Sequence, residues 1–130
     1  MHSTAFTIAN LYGDLGEATG MLTLEADQLV IEFQTRDAIL GLLKSDIKEV
    51  VLDLNDLVEI TLEEKLFRTR LHLKARRMGM LGRIPGVERG ELCLQIARKD
   101  RAAAGALSDA AQLRIAELRL KRLDEDDAHA

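Results

Sequence analysis

Residues 47–75 constrain the fold more than any other stretch of the chain. They read IKEVVLDLNDLVEITLEEKLFRTRLHLKA, and apolar residues recur at alternate positions in three runs. A period of two places one face of a strand in the core and the other in solvent. The breaks between runs, at residues 55–56 and 63–65, are short. Parallel strands need a crossover of about a dozen residues, so this stretch predicts an antiparallel meander, with Phe67, Leu71 and Leu73 of its third strand facing inward.

Composition narrows the class of protein. The 130 residues are 47% hydrophobic and 31% charged, as expected for one globular domain. The formal net charge of −4 argues against nucleic acid as a partner and makes a membrane surface the less favoured one. The lone Cys93 excludes an internal disulfide and favours a reducing compartment. With no signal-peptide pattern and no apolar run of about 20 residues, we expect a cytoplasmic protein.

Outside residues 47–75, the alternation of apolar residues is clear in some segments and weak in others. Residues 1–17 alternate weakly and are expected to form an N-terminal arm, followed by a single domain over residues 18–123. Leu22 and Leu24, then Leu29, Ile31 and Phe33, predict a hairpin, and residues 91–97 predict a last strand. Residues 36–46 fit either a bent strand or a lid over the sheet. Residues 76–90, with four of the nine glycines, predict a long connection with a short edge strand near Met80.

The last element is a helix predicted over residues 100–123. Asp100 occupies the N-cap position and the run that follows is rich in Ala, Leu, Arg and Glu. The acidic residues 124–130 are expected to be disordered. The helix has two overlapping apolar faces at helical spacing. One comprises Ala103, Leu107, Ala110, Ala111, Arg114 and Leu118, and the other Leu113, Ala116, Leu120 and Leu123.

Strands followed by one long helix predict a mainly β fold: a bent antiparallel sandwich or partly open barrel of six to seven strands, capped by the helix. The chain resembles the bacterial pleckstrin-homology-like (PH-like, GRAM-like) superfamily in pattern and order over residues 18–118. The likeness lies in a GxLxL-type first strand at Gly20, in LVIEF, in VVLDLNDLVEITLEE, and in a final strand that leads into the helix. Two features depart from the pattern of the superfamily. A sixth strand is hard to find in the Gly-rich stretch at 76–90, and the helix is longer than one sandwich needs.

The resemblance implies a non-catalytic interaction module. Many members of the superfamily bind phosphoinositides through basic residues between their first two strands, but residues 26–28 here are Ala-Asp-Gln. A basic strand face offers another anion site. Its members share one face of the third meander strand: Arg68, Arg70, His72, Lys74 and Arg76. The alternative is that they pair across the sheet with Glu59, Thr61 and Glu63.

Two apolar features are candidates for partner binding. Met78, Met80 and Leu81 lie among arginines and could contact a membrane or a partner, or could cover the sheet instead. Leu113, Leu120 and Leu123 cannot pack on the same small sheet as the first helix face, so they favour a second copy of the chain in a symmetric homodimer. The alternative is that they are isolated exposed residues.

Catalysis has no support in the sequence. His2, His72 and His129 are scattered, no ligand spacing predicts a metal, and no nucleotide-binding glycine motif or nucleophile motif occurs. We therefore expect no enzyme activity and no cofactor. The predicted function is protein–protein contact or self-association, with binding of anionic lipid or phosphate surfaces through the basic strand face as the alternative.

Overall fold

The computed structural model describes residues 1–11, 16–37, 46–82 and 84–128. In this part of the chain seven strands precede one helix, α1 (Arg101–Ala128). The strands are β1 (His2–Leu11), β2 (Gly16–Glu25), β3 (Gln28–Asp37), β4 (Lys48–Asp53), β5 (Leu57–Glu64), β6 (Thr69–Ala75) and β7 (Glu91–Ile96). All pairings are antiparallel, in the order β4-β3-β2-β1-β7-β6-β5, and β4 and β5 end an open sheet. The predicted mainly β fold with one C-terminal helix is confirmed. The prediction of a single meander over residues 47–75 is wrong in its first pairing, because β4 pairs with β3 at one edge of the sheet whereas β5 pairs with β6 at the other.

Strand β1 joins the two halves of the sheet. It pairs with β2 along most of its length but meets β7 only where Thr7 lies opposite Gln95. The prediction of an arm over residues 1–17 is therefore wrong for the described residues 1–11, 16 and 17. Thr4, Phe6 and Ile8 are buried. Their alternation was hard to recognise because the residues between them are small and one buried position is a threonine.

Gly20 sets the spacing between β2 and β3. A Cβ atom at this position would lie 1.8 Å from the carbonyl oxygen of Glu32. No side chain fits at that distance, so the glycine is required for a close backbone approach and not for an unusual φ angle.

The two halves of the sheet and α1 enclose a single aliphatic core. The buried face of α1 comprises Ala104, Leu107, Ser108, Ala111, Ile115 and Leu118, and it packs mainly against β5 and β1. Ala103, predicted on this face, is exposed, and its neighbour Ala104 is buried instead. The helix continues to Ala128, so the prediction that it ends near residue 123 and gives way to a disordered tail is wrong for residues 124–128. Residues 129–130 lie outside the described part.

The connection after β6 also differs from its prediction. Met78–Leu81 form a 3₁₀ turn and not an edge strand. Leu81 and Ile84 are buried, so this segment covers part of the core. The sheet therefore gains its seventh strand from β1 at the N-terminus and not from this connection. Of residues 36–46, predicted as a bent strand or a lid, residues 36–37 continue β3 and residues 38–45 lie outside the described residues. Within the described ranges, no helix has the length and apolar character needed to cross a bilayer.

Candidate functional site

Arg70, His72 and Lys74 of the basic strand face lie on the outer side of β6, as their alternation predicted, whereas Arg68 precedes the strand and Arg76 follows it. Arg70 and His72 are half-buried and Lys74 is exposed, while the residues between them are buried. The cross-strand register is the one expected for ion pairing: Glu59 lies opposite Lys74, Thr61 opposite His72, and Glu63 opposite Arg70. The face therefore combines cations with carboxylates from the neighbouring strands.

The carboxylates neutralise the middle of this face. His72 Nε2 lies 3.4 Å from Glu63 Oε2, and Lys74 Nζ lies 3.9 Å from Glu91 Oε1. Lys65 Nζ lies 3.5 Å from the other Glu63 oxygen. Partial burial alone would raise the pKa of Glu63, but attraction to Lys65 and His72 outweighs it and lowers that pKa below its ordinary value.

The two ends of the basic strand face make different contacts. Arg76 Nε donates a hydrogen bond of 3.2 Å to the carbonyl oxygen of Asn55, which holds it against the β4–β5 turn. At the other end, Arg68 is exposed, and the buried Nε of Arg70 has no hydrogen-bond partner among the described residues. The unpaired positive charge is therefore concentrated toward Arg68 and not spread along the strand.

Arg68 belongs to the turn between β5 and β6. Lys65 N donates to Arg68 O at 2.7 Å and Arg68 N donates to Lys65 O at 3.3 Å, which closes a turn with Leu66 and Phe67 at its centre. These two side chains are 77% and 87% exposed. The prediction that Phe67 faces inward is wrong because β6 begins only at Thr69, and the alternating pattern does not apply before it.

The start of α1 supports this turn and adds charge beside it. Arg101 Nε donates to Thr69 Oγ1 at 2.7 Å, and Arg101 Nη2 donates to Lys65 O at 3.3 Å. Arg98 and Arg101 line an open groove of about 600 Å³ together with the turn. We call Leu66, Phe67, Arg68, Arg98 and Arg101 the tip surface. Residues 63–70 and 95–101 contain six cationic and three anionic side chains, a net charge of +3 on a chain whose net charge is −4.

The candidate partner loop at residues 78–81 is packed against the sheet. Leu81 is fully buried, so its predicted contact with a partner is wrong. Met80 is half-buried and packs against the core, and the side chain of Met78 lies outside the described part. Met80 and Leu81 therefore agree with the alternative prediction, in which this loop covers the sheet.

The second apolar face of α1 is exposed. Leu113, Leu120 and Leu123 are 63%, 62% and 60% exposed, and Ala116 between them is also exposed. We call these four residues the leucine seam. At about 100° per residue they lie on the side of α1 opposite its buried face. No residue from 119 to 126 is buried, so the helix extends beyond the core that anchors it.

The groups with catalytic potential are dispersed. In the described ranges, no three His, Cys, Asp or Glu residues are placed to hold a metal ion. Burial raises the pKa of the Cys93 thiol, which lowers the fraction of reactive thiolate at neutral pH. The half-buried Cys93 lies opposite His72 on β6, while the nearest charge partner of that histidine is Glu63.

Comparison with protein-family models, with curated proteins and with solved structures finds no match to this chain. The structure brings together residues that the sequence analysis did not connect. Leu66, Arg98 and Arg101 were not singled out, although two adjacent large apolar residues in a hairpin turn are a readable signal. Arg98 and Arg101 join them only because α1 begins beside the β5–β6 turn.

Proposed function

We propose that this chain is a non-enzymatic interaction module that self-associates through helix α1. The leucine seam is the observation that carries the proposal. Three leucines and one alanine repeat at intervals of three and four residues on a face that the described chain leaves in water. A second copy of the same helix is the simplest surface that covers them, because the seam matches its own pattern.

The spacing of the leucine seam is that of a two-helix coiled coil. Leu113 and Leu120 are seven residues apart, and Ala116 and Leu123 follow them by three, so they occupy alternating a and d positions. The body of each protomer lies on the opposite side of its helix. Two helices can therefore meet along their seams with the two sheets on the outside.

The flanking charges favour a parallel pair. In this register Arg119 lies at a g position and Asp124, five residues later, at an e position. A parallel pair brings Arg119 of each copy beside Asp124 of the other, whereas an antiparallel pair places the two Arg119 side chains together. Arg119 donates one hydrogen bond from Nη2 to the carbonyl oxygen of Val58, and its other N–H groups remain for Asp124.

The small size of the leucine seam indicates that the dimer has a low affinity. Four a and d positions bury less than the roughly 1,600 Å² of a standard stable interface. We therefore expect a weak dimer, with a dissociation constant on the order of 100 μM. A dimer of this strength forms and dissociates with protein concentration.

The fold is compatible with membership of the PH-like superfamily, which we also propose. Two antiparallel meanders, β1 to β4 and β5 to β7, that are joined by pairing of β1 with β7 and followed by a helix packed across the sheet, support that assignment. The predicted anion site on the basic strand face receives less support, because His72 and Lys74 lie beside carboxylates and Arg76 is held at the β4–β5 turn.

The proposal is tested by analytical ultracentrifugation over a range from about 1 μM to about 1 mM. The wild-type mass should rise from 14.5 kDa toward twice that value, and Leu120→Glu should stay monomeric throughout. Both residues favour helix, so the substitution leaves helicity unchanged by circular dichroism. Leu66→Glu, an equivalent change in another exposed leucine, should dimerise like the wild type. A monomeric wild type at the highest concentration, or a dimeric Leu120→Glu, contradicts the proposal.

A further inference from the structure

The tip surface is a second exposed apolar feature, distant in sequence from the leucine seam. Its two apolar residues occupy the centre of a tight turn, where Gly, Asn, Asp and Ser are the usual residues. Phe6 and Phe33 are buried, while Phe67 is exposed. Because Leu66 and Phe67 project from a turn, the described chain cannot cover them with its own core.

The turn that carries these side chains is held in place. Two main-chain hydrogen bonds close it, and Arg101 ties it to the start of α1 through Thr69 and the carbonyl oxygen of Lys65. Leu66 and Phe67 are therefore displayed on a supported hairpin end.

Cations surround the apolar pair. Arg68 adjoins it in the chain, and Arg98 and Arg101 line the same groove. None of these three arginines has a carboxylate partner among the described residues, in contrast to His72 and Lys74 farther along β6. The region has a net charge of +3, so the remainder of the chain carries −7. The opposite charge of the remainder orients the protein with this end toward an anionic surface.

We propose that the tip surface docks on an anionic phospholipid bilayer, with Leu66 and Phe67 entering the boundary between headgroups and acyl chains and Arg68, Arg98 and Arg101 at the level of the phosphates. Apolar side chains flanked by cations are the arrangement that this boundary stabilises. Single-stranded nucleic acid fits less well, because such sites stack successive bases on several aromatic rings and the tip has only one. The proposal does not rest on the helix-mediated dimer.

Co-sedimentation with vesicles tests the surface. The wild type should sediment with phosphatidylcholine vesicles that contain about 30% phosphatidylserine, and not with phosphatidylcholine alone. Raising the salt from about 0.05 M to about 0.5 M should weaken binding. The double variant Leu66→Ser/Phe67→Ser should bind at least about tenfold more weakly. Arg68→Gln/Arg98→Gln should also lose roughly tenfold.

The controls separate a lost surface from a lost fold. Serine is favoured in turns, so the double serine variant should keep the wild-type circular dichroism spectrum and thermal unfolding. Val51→Ser changes an exposed apolar residue on the edge strand β4 and should leave vesicle binding unchanged. All proteins are compared at a concentration where the wild type is monomeric.

Fluorescence reports insertion directly. The chain has no tryptophan, so Phe67→Trp introduces a single tryptophan at the tip, whose emission can be excited selectively. Its emission should shift to shorter wavelength when the anionic vesicles are added, and the emission of Val51→Trp should not shift. Absence of binding to anionic vesicles at low salt, equal binding to neutral vesicles, unchanged binding by the double serine variant, or binding to a single-stranded RNA oligonucleotide without binding to vesicles overturns the proposal.

Discussion

Arg114 on α1 donates hydrogen bonds from Nε and Nη2 to the two carboxylate oxygens of Asp27, with Nη2 3.0 Å from Oδ2. Asp27 lies in the turn between β2 and β3, 87 residues away in the chain. This two-point pair ties the middle of the helix to the far end of a hairpin. The hydrogen bond from Arg114 is the main reason why the pKa of Asp27 is lowered, and the same bond raises the pKa of Arg114.

The Asp27–Arg114 pair predicts a pH dependence of stability. The pKa of Asp27 is below its ordinary value of 3.8 in the folded protein, so its stabilisation is complete at pH values above 3.8. It is lost as the pH falls through the folded value. Between about pH 5 and about pH 2, the free energy of unfolding in urea should fall more steeply for the wild type than for Asp27→Asn. Glu25→Gln, in the same hairpin but outside this pair, should follow the wild type. Parallel curves for wild type and Asp27→Asn would contradict the prediction.

Gly20→Ala should destabilise the protein by about 3 kcal/mol or more, because the new methyl group would overlap the carbonyl of Glu32 and force the strands apart. Gly105→Ala on α1 is the matched control. Its Cβ would lie 3.7 Å from Leu62 Cδ2, an ordinary contact, and alanine is the better helix former. That variant should gain about 0.5–1 kcal/mol. Urea unfolding measures both, and a stable Gly20→Ala protein would show that β2 and β3 are not so close.

Leu107→Ala and Leu113→Ala distinguish the two faces of α1. Leu107 is fully buried, and its truncation should cost about 3 kcal/mol through lost contacts and a cavity. Leu113 is exposed in the monomer, so its truncation should change the free energy of unfolding by no more than about 0.5 kcal/mol. The measurement is urea unfolding at a concentration below the dissociation constant of the dimer. Equal losses at the two positions would mean that α1 packs on the sheet in another orientation.

Strong alternation made several strands predictable. Leu22 and Leu24 are buried on β2, Leu29, Ile31 and Phe33 on β3, and Leu71 and Leu73 on β6, as their spacing predicted. The same parity placed Arg70, His72 and Lys74 on the outer face. Alternation succeeds here because one face of each strand borders an aliphatic core and the other borders water.

The predictions fail where a segment lacks this contrast between a face on the core and a face in water. The alternation in β1 is weak because the strand places Thr4 in the core and small residues between the buried positions. Phe67 follows the parity of Leu71 but lies in a turn, where side-chain direction depends on the turn geometry. The pattern at Met80 and Leu81 fits either partner contact or cover of the sheet, because glycines on both sides of the pair interrupt every period.

The two candidate surfaces also differ in whether they can be predicted from the sequence. The leucine seam was readable because helical spacing depends on a local repeat, and α1 preserves that repeat from Leu113 to Leu123. The tip surface was not readable, because it joins a turn near residue 66 to the helix start near residue 101. Contacts between distant segments depend on how the elements pack.

The amino-acid sequence by itself determined where strands β2 to β7 and the terminal helix lie along the chain, and the second apolar face of that helix, because each follows from a repeat within a few neighbouring residues. The separation of β4 from β5 to opposite edges of the sheet depends on tertiary packing. Only the tertiary structure decided that His2–Leu11 joins the halves of the sheet, that Gly20 admits the backbone of β3, and that Arg101 supports an exposed Leu66–Phe67 turn. Those features depend on which distant segments meet when the apolar faces are buried together.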